Sequence, residues 1–175
     1  FGGSLGARFL NHLLPRAISL LPSESRPEII HQCGFKAVDE VKALYAEAGV
    51  EAAVQPFIED MAAAYTWSDL VLCRAGATSV SEICSAGAAS LLVPLVVKTT
   101  SHQLQNALFM EQNGASRCLR QDSLTPERLS AVLASIDRAQ LLSMAEAARK
   151  LSHSNAASAV ADMIESRADR TFRVS

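Results

Sequence analysis

The stretch Leu70-Val-Leu-Cys-Arg-Ala-Gly-Ala-Thr-Ser-Val-Ser-Glu82 decides the fold of this chain. Its apolar start, Leu70 to Cys73, predicts a buried strand, and the small residues after it predict a turn into a helix. Such a helix points its free backbone N–H groups and the positive end of its dipole toward an anion. The carboxylate of Glu82, on the same helix, is suited to accept hydrogen bonds from both hydroxyls of a ribose. The stretch therefore predicts part of a site for a nucleoside diphosphate.

The composition is that of an ordinary globular domain. The 175 residues suffice for one well-packed domain, and 49% of them are hydrophobic and 19% charged. A net charge of −2 and an aromatic content of 5% argue against a nucleic-acid partner. The cysteines lack metal-ligand spacing, so we expect Cys33, Cys73, Cys84 and Cys118 to be buried thiols of a reducing cytoplasm.

Apolar runs alternate with amphipathic stretches along most of the chain, which is typical of βα units around a parallel sheet. The predicted strands are 28–32, 52–55, 70–73, 90–93 and 117–119, and the predicted helices are 7–21, 38–48, 79–85, 103–112, 126–136, 139–151 and 155–167. Pro15 is expected to bend or divide the first helix, while Gly49 and Gly114 are expected at helix C-termini. The fold class is thus α/β, a Rossmann-like parallel sheet with helices on both faces, in a single domain.

The stretch Gly2-Gly3-Ser4-Leu5-Gly6 opens the first predicted helix. Glycines let the backbone approach a phosphate closely, and the Ser4 hydroxyl can donate a hydrogen bond to it. The alternative is a tight turn in which Ser4 caps the helix. Because this stretch has the character of a loop leaving a strand, and almost no strand precedes it, we expect a fragment of a longer protein.

The loop after Cys73 repeats this arrangement. Gly76 is expected to relieve steric crowding, and Thr78, Ser79 and Ser81 offer hydroxyls near the helix start. The alternative makes Glu82 a helix-stabilising acid or the capping-box partner of Ser79, three residues earlier. Two Gly/Ser loops at helix starts in one sheet favour the diphosphate, because ligands of open α/β sheets bind beyond the carboxyl ends of the strands.

Two further groups follow predicted strands. The ring of Phe57, with the backbone groups of Ile58 beside it, is suited to hold a pyrimidine; the alternative is an aromatic plug over the sheet edge. His102, Gln103 and Asn106 begin a helix, where they can bond sugar hydroxyls or form a solvated helix start.

No closely spaced acidic pair of the Asp-x-Asp kind occurs, so we expect neither a metal ion nor another cofactor. The charge of a leaving diphosphate is then stabilised by helix dipoles, hydroxyls and Arg74. His12 and His31 are expected to be structural.

Four motifs, in this order and spacing, resemble the C-terminal half of the MurG family: Gly2 to Ala7, Phe57 to Met61, Cys73 to Glu82, and His102-Gln-x-x-Asn106. This family comprises the bacterial peptidoglycan glycosyltransferases that add N-acetylglucosamine to lipid I, which gives lipid II. The likeness runs from Gly2 to about Ile164. It implies roles in cell-wall biogenesis, cell shape and cell division.

The resemblance implies a two-domain GT-B fold whose C-terminal half binds UDP-N-acetylglucosamine. By position, Ser4 would contact the diphosphate, Phe57 and Ile58 would hold the uracil, and Glu82 would bind the ribose hydroxyls. The diphosphate loop would be lined by Arg74, Gly76, Thr78 and Ser79, and the sugar would be reached by His102 and Gln103, with Asn106 in the same motif. Thr78 stands where some relatives have leucine, and His102 where some have glutamine.

The resemblance also implies a division of labour. Residues 1–154 would form the donor-binding domain, and residues 155–175 would pack toward an N-terminal domain carrying the acceptor site, the catalytic base and a membrane-contacting patch. The whole enzyme would be cytoplasmic and peripheral on the inner face of the plasma membrane. The chain alone would bind UDP-sugar weakly and transfer nothing.

Two other functions stay open on the sequence. One is a stand-alone donor-binding subunit, similar to the split glycosyltransferase of eukaryotic dolichol-linked glycan assembly. The other is a nucleotide-sugar epimerase on the same fold, which requires catalytic acids that these motifs lack.

Overall fold

A computed structural model describes residues 3–96 and 102–152, with side chains from Arg8 onward. The strands are β1 (Ile30–Gln32), β2 (Ala53–Gln55), β3 (Val71–Cys73), β4 (Ser90–Leu92) and β5 (Ser116–Cys118). The helices are α1 (Gly3–Ser19), α2 (Val38–Glu47), α3 (Met61–Trp67), α4 (Ala77–Ala86), α5 (His102–Gln112), α6 (Pro126–Ser135) and α7 (Arg138–Lys150). β1 pairs with β2, and β3–β4–β5 form a second sheet, with every pairing parallel.

The central strand β4 is apolar on both faces because helices cover both. Leu92 packs into a cluster that contains Ile83 of α4 and Met110 of α5. Leu91 points the other way, into a cluster that contains Leu13 of α1 and Leu129 of α6. Successive side chains of a strand alternate between faces, so this continuous apolar run fits a strand covered on both sides. The predicted fold class is confirmed.

Each of the five strands lies within two residues of its predicted bounds. Gly49 and Gly114 follow α2 and α5 with φ of 61° and 70°, the left-handed conformation of a helix C-terminus. Cys33, Cys73 and Cys84 are buried as expected, and all four cysteines are free. The expectation of burial is wrong for Cys118, which is partly exposed because it lies on β5, an outer strand of its sheet.

Three expectations about helices need correction. Pro15 does not divide α1, which is continuous from Gly3 to Ser19 and packs on both α2 and α6; whether the proline bends the helix stays a prediction. α1 also begins at Gly3 rather than at residue 7, so Ser4 lies in its first turn and not at an N-cap. The short helix α3 was not predicted, although Asp60 caps it by accepting a hydrogen bond from the Ala63 N–H at 2.8 Å.

An apolar groove of about 740 Å³ separates the two sheets. α1 lines it with Leu10, Leu14 and Ile18, while β1 contributes Ile30 and β3 contributes Val71. Among the described strands, the structure pairs none of the first sheet with the second. The groove is therefore the boundary between two parallel sheets that share the helix α1.

Candidate functional site

The carboxyl end of β3 leads into the start of α4, as predicted. Gly76 is the N-cap residue, and its carbonyl accepts the first hydrogen bond of the helix, from the Val80 N–H at 2.9 Å. Glycine has no side chain with which to cap, so the N–H groups of Ala77, Thr78 and Ser79 keep their ability to bind an anion. The prediction that Gly76 relieves crowding is wrong for the protein's own atoms, since a Cβ there would approach nothing closer than the Ser79 Oγ at 4.0 Å.

Glu82 lies in the second turn of α4 and is half-buried. Its Oε2 accepts a hydrogen bond from the Tyr65 hydroxyl on α3 at 3.0 Å. The capping-box alternative fails because α4 begins at Ala77, which places Ser79, and not Glu82, at the third helical position. A carboxylate has about four lone-pair sites, so acceptor capacity beyond the Tyr65 bond stays available for ribose hydroxyls.

Burial, and next the hydrogen bond to Glu82, raise the pKa of Tyr65 well above its ordinary value. The phenol therefore stays protonated wherever the protein is folded near neutral pH, and it donates to the carboxylate. The sequence offered no signal for this partner, since Tyr65 belongs to a stretch in which no helix was predicted.

The Arg74 side chain points into the protein. It is 5% exposed, and its Nη1 donates to the Val93 carbonyl oxygen at 3.0 Å. The guanidinium also lies over the Phe9 ring, 5.8 Å from its centroid. Burial lowers the pKa of Arg74. In this structure the side chain of Arg74 links the ends of β3 and β4.

Two residues of α5 that are predicted to bind the sugar form hydrogen bonds with the loops that follow β3 and β4. Asn106 Nδ2 donates to the Ala75 carbonyl oxygen at 3.0 Å, and the Leu95 N–H donates to Gln103 Oε1 at 2.9 Å. These bonds leave the Gln103 Nε2 and Asn106 Oδ1 atoms as further polar groups of the same side chains. His102 is exposed at the start of α5. The structure thus brings the start of α5 beside the loop that precedes α4.

Phe57 follows β2 with 52% of its surface exposed, so it does not serve as a plug over the sheet edge. A shallow cavity of about 570 Å³ includes Phe57, the half-buried Ile58 and the start of α3. An exposed aromatic ring can stack on a planar base.

The structure describes the side chains of Thr78 and Ser79, but only the backbone of Ser4. Thr78 is exposed and Ser79 half-buried in the first turn of α4. The Ser4 side chain lies outside the described residues, although its backbone is helical.

The described part of the chain contains no group of three or more His, Cys, Asp or Glu side chains that could hold a metal ion. Across 3–96 and 102–152, none of the helices is long and apolar enough for a membrane span.

His31 is structural, as expected. Its Nδ1 lies 2.9 Å from the Tyr45 hydroxyl and its Nε2 lies 3.0 Å from Asn11 Oδ1. Burial lowers the pKa of His31 to about 4, so the imidazole is neutral at pH 7. The ring therefore has polar partners on both nitrogens, and His31 is only 5% exposed.

The described residues form an α/β domain with parallel strands. Near the carboxyl ends of the strands lie the start of α4, the carboxylate of Glu82 and the exposed ring of Phe57. This arrangement is typical of the class of nucleotide-binding domains. The chain belongs to the glycosyltransferase family 28 C-terminal domain, whose family model matches residues 1–165. The groove between the sheets, although larger, is lined mainly by hydrocarbon and does not suit a diphosphate.

Two similar proteins share one name. A protein of Methylibium petroleiphilum is 54% identical over 166 residues, which cover 94% of this chain and 45% of that protein. One of Azoarcus sp. is 49% identical over 96% of this chain and 47% of its own length. Both are named UDP-N-acetylglucosamine–N-acetylmuramyl-(pentapeptide) pyrophosphoryl-undecaprenol N-acetylglucosamine transferase. The chain spans about half the length of these relatives.

One solved structure agrees with this family, and a second shares the fold. The crystal structure of Acinetobacter baumannii MurG matches with a TM-score of 0.87 and 43% identity, over 94% of this chain and 50% of that one. A glycotransferase of kitacinnamycin matches with a TM-score of 0.65 at 19% identity, over 90% of this chain and 38% of its own, which shows the fold alone.

Proposed function

We propose that this chain is the donor-binding part of an N-acetylglucosaminyltransferase and that it binds UDP-N-acetylglucosamine. In the longer protein the sugar would pass to lipid I and give lipid II. The observation that carries the proposal is the pairing of the α4 start with Glu82, an anion site next to an oriented carboxylate. The name shared by relatives of 48–54% identity supports the choice of sugar and acceptor.

Each part of the donor then has a partner at the carboxyl edge. The diphosphate would lie at the start of α4, on the N–H groups and hydroxyls of Thr78 and Ser79, with Ser4 approaching from the start of α1. Glu82 would accept hydrogen bonds from the ribose. The uracil would lie on Phe57 and on the backbone of Ile58. The sugar would meet the polar side chains at the start of α5, which are His102, Gln103 and Asn106.

The reaction needs little covalent chemistry from this part of the protein. The acceptor hydroxyl would attack the anomeric carbon and invert it as the bond to the diphosphate breaks, while a base elsewhere in the longer protein takes the proton. Negative charge then builds on the diphosphate, where helix dipoles and hydroxyls stabilise it. The buried Arg74 contributes by holding the loop, since its guanidinium bonds Val93.

The setting of the longer protein forms part of the same proposal. We expect it to be peripheral on the cytoplasmic face of the inner membrane, with residues 155–175, which lie outside the described residues, packing toward the acceptor domain. A stand-alone donor-binding subunit would use the same site with a membrane-anchored partner. An epimerase would interconvert the free nucleotide sugar, so incubation with UDP-N-acetylglucosamine alone separates it: we expect the substrate to be recovered unchanged.

Calorimetry with UDP tests the site. We expect Glu82→Ala to weaken UDP binding by more than tenfold, because each hydrogen bond to a charged group contributes ~1.5–3 kcal/mol. Glu47→Ala is the matched control, since Glu47 is an exposed glutamate at the end of α2. Unchanged affinity of the Glu82→Ala protein would remove this residue from the ribose. Failure of the parent chain to bind UDP would overturn the proposed function.

A further inference from the structure

The hydrogen bond between Tyr65 and Glu82 joins two helices at the candidate site. The donor lies on α3 and the acceptor on α4, with 3.0 Å between the Tyr65 hydroxyl oxygen and Glu82 Oε2. Tyr65 is only 8% exposed, and its ring belongs to the cluster that includes Cys73 and Ile83. The hydroxyl is therefore held on a side chain whose position is set by core packing, whereas Glu82 is half-buried on the more open side.

α3 also connects this bond to the loop proposed for the uracil. The helix begins at Met61, directly after Phe57 to Asp60, and the Asp60 side chain caps it. A shift of α3 would therefore move both the loop that contains Phe57, at one end of the helix, and the Tyr65 hydroxyl, near the other end. One short helix thus relates the base subsite to the ribose subsite.

We propose that Tyr65 is a positioning residue for the ribose subsite: its hydroxyl fixes the orientation of the Glu82 carboxylate so that the remaining acceptor sites face the ribose diol. The inference rests on the proposed function. A free glutamate samples several rotamers, and ordering it on binding costs conformational entropy. A hydrogen bond from a buried phenol orders it beforehand. The raised pKa of Tyr65 keeps the phenol a donor across the working pH range.

The test compares UDP with 2′,3′-dideoxy-UDP by calorimetry. We expect the parent chain to prefer UDP, and Tyr65→Phe to weaken UDP binding by about three- to tenfold, as for the loss of one hydrogen bond. Binding of the dideoxy nucleotide should change less than about twofold, since it has no diol for Glu82 to bind. The preference for UDP over the dideoxy nucleotide should therefore fall several-fold, which a purely structural role would not cause.

Tyr45→Phe is the matched control. Tyr45 is also a buried tyrosine, 3% exposed, and its hydroxyl bonds a side chain on another element, His31. Its loss should lower stability in the same way while leaving the preference for ribose unchanged. Thermal melts of both variants report the stability change separately from binding.

A Glu82→Gln variant separates the two proposals. If Glu82→Gln abolishes the preference for ribose and Tyr65→Phe keeps it, the role of Tyr65 is overturned and the proposed function stands. Equal loss of both nucleotides in Tyr65→Phe likewise overturns it. If the parent chain does not bind UDP, both proposals fall. In the double variant we expect no loss beyond that of Glu82→Gln; fully additive losses would contradict coupling.

Discussion

At the residue scale, the buried polar groups show how the chain satisfies its hydrogen bonds. His31 lies between Tyr45 and Asn11, and Asn11 in turn donates from Nδ2 to the Cys33 carbonyl oxygen at 3.1 Å. These bonds join α1, β1 and α2 around one neutral imidazole. Breaking such a network by protonation is costly, because a buried cation replaces a satisfied neutral ring.

Acid should destabilise the protein through His31. Its folded pKa of about 4 lies below the ordinary 6.5, so its contribution to stability is complete above about pH 6.5 and is lost as the pH falls toward 4. Between pH 7 and pH 5 we expect a loss of roughly 1–2 kcal/mol from this group. Urea unfolding at the two pH values measures it.

The comparison uses His31→Gln and His12→Gln. The first variant should flatten the pH dependence between 7 and 5. The second should retain it, because His12 is a more exposed histidine that pairs with Glu40 at 3.0 Å. Parent-like pH dependence in the His31→Gln protein would exclude His31 as the titrating group.

At the element scale, the end of α4 is fastened to α7. Arg149 donates from Nη1 to the Ser85 carbonyl oxygen at 2.6 Å and from Nη2 to the Ala86 carbonyl oxygen at 3.0 Å. Gly87 then turns the chain with φ of 65°, and a Cβ at this position would lie 2.8 Å from Arg149 Nε. The helix that carries Glu82 is thus anchored at the end opposite the site.

Gly87→Ala should destabilise more than Gly49→Ala. Both glycines have left-handed φ, which costs a side chain ~1–2 kcal/mol. At Gly87, unlike at Gly49, the Arg149 side chain must also shift and lose hydrogen bonds to the carbonyl oxygens of Ser85 and Ala86. We therefore expect Gly87→Ala to lower the free energy of unfolding by about 1 kcal/mol more than Gly49→Ala does. Chemical denaturation of the two variants compares them directly. Equal losses would show that Arg149 adjusts without loss of its hydrogen bonds.

At the scale of the whole molecule, an apolar groove of about 740 Å³ lies between the two sheets. A doubly wound sheet has the strand order 3-2-1-4-5-6. If β1 to β5 correspond to the second to sixth strands of this order, the first strand would lie between β1 and β3, at the groove. The expectation that a strand leads into the loop at Gly2 agrees with this geometry and stays a prediction. Such a strand would also fix the start of α1, where Ser4 lies.

An apolar extension of five residues before Phe1 should therefore raise the melting temperature. We expect a rise of about 2–4 °C, which corresponds to ~1 kcal/mol for a domain of this size. An extension of five Gly and Ser residues is the control. A similar melting temperature for the two extended chains would contradict a strand in the groove.

Much of the fold could be predicted because it depends on patterns local in the chain. An apolar run such as Leu70 to Cys73 favours a strand through the preferences of its own residues, and a helix start after such a strand lies at the carboxyl end of the sheet. The errors arise where packing outweighs local preference. Pro15 stays within one helix because α2 and α6 hold it, and α3 is too short for a clear periodic pattern.

The sequence by itself determined the α/β class, the loops at the carboxyl edge and the family, because these follow from periodicity, small residues and motif spacing along the chain. Only the tertiary structure decided what the side chains of the site contact. Arg74 turns inward to Val93, and Tyr65 meets Glu82 across 17 positions of sequence. The reason is physical: a side chain's partner is set by how separate helices and strands pack, and neighbouring residues along the chain carry no direct signal of that packing.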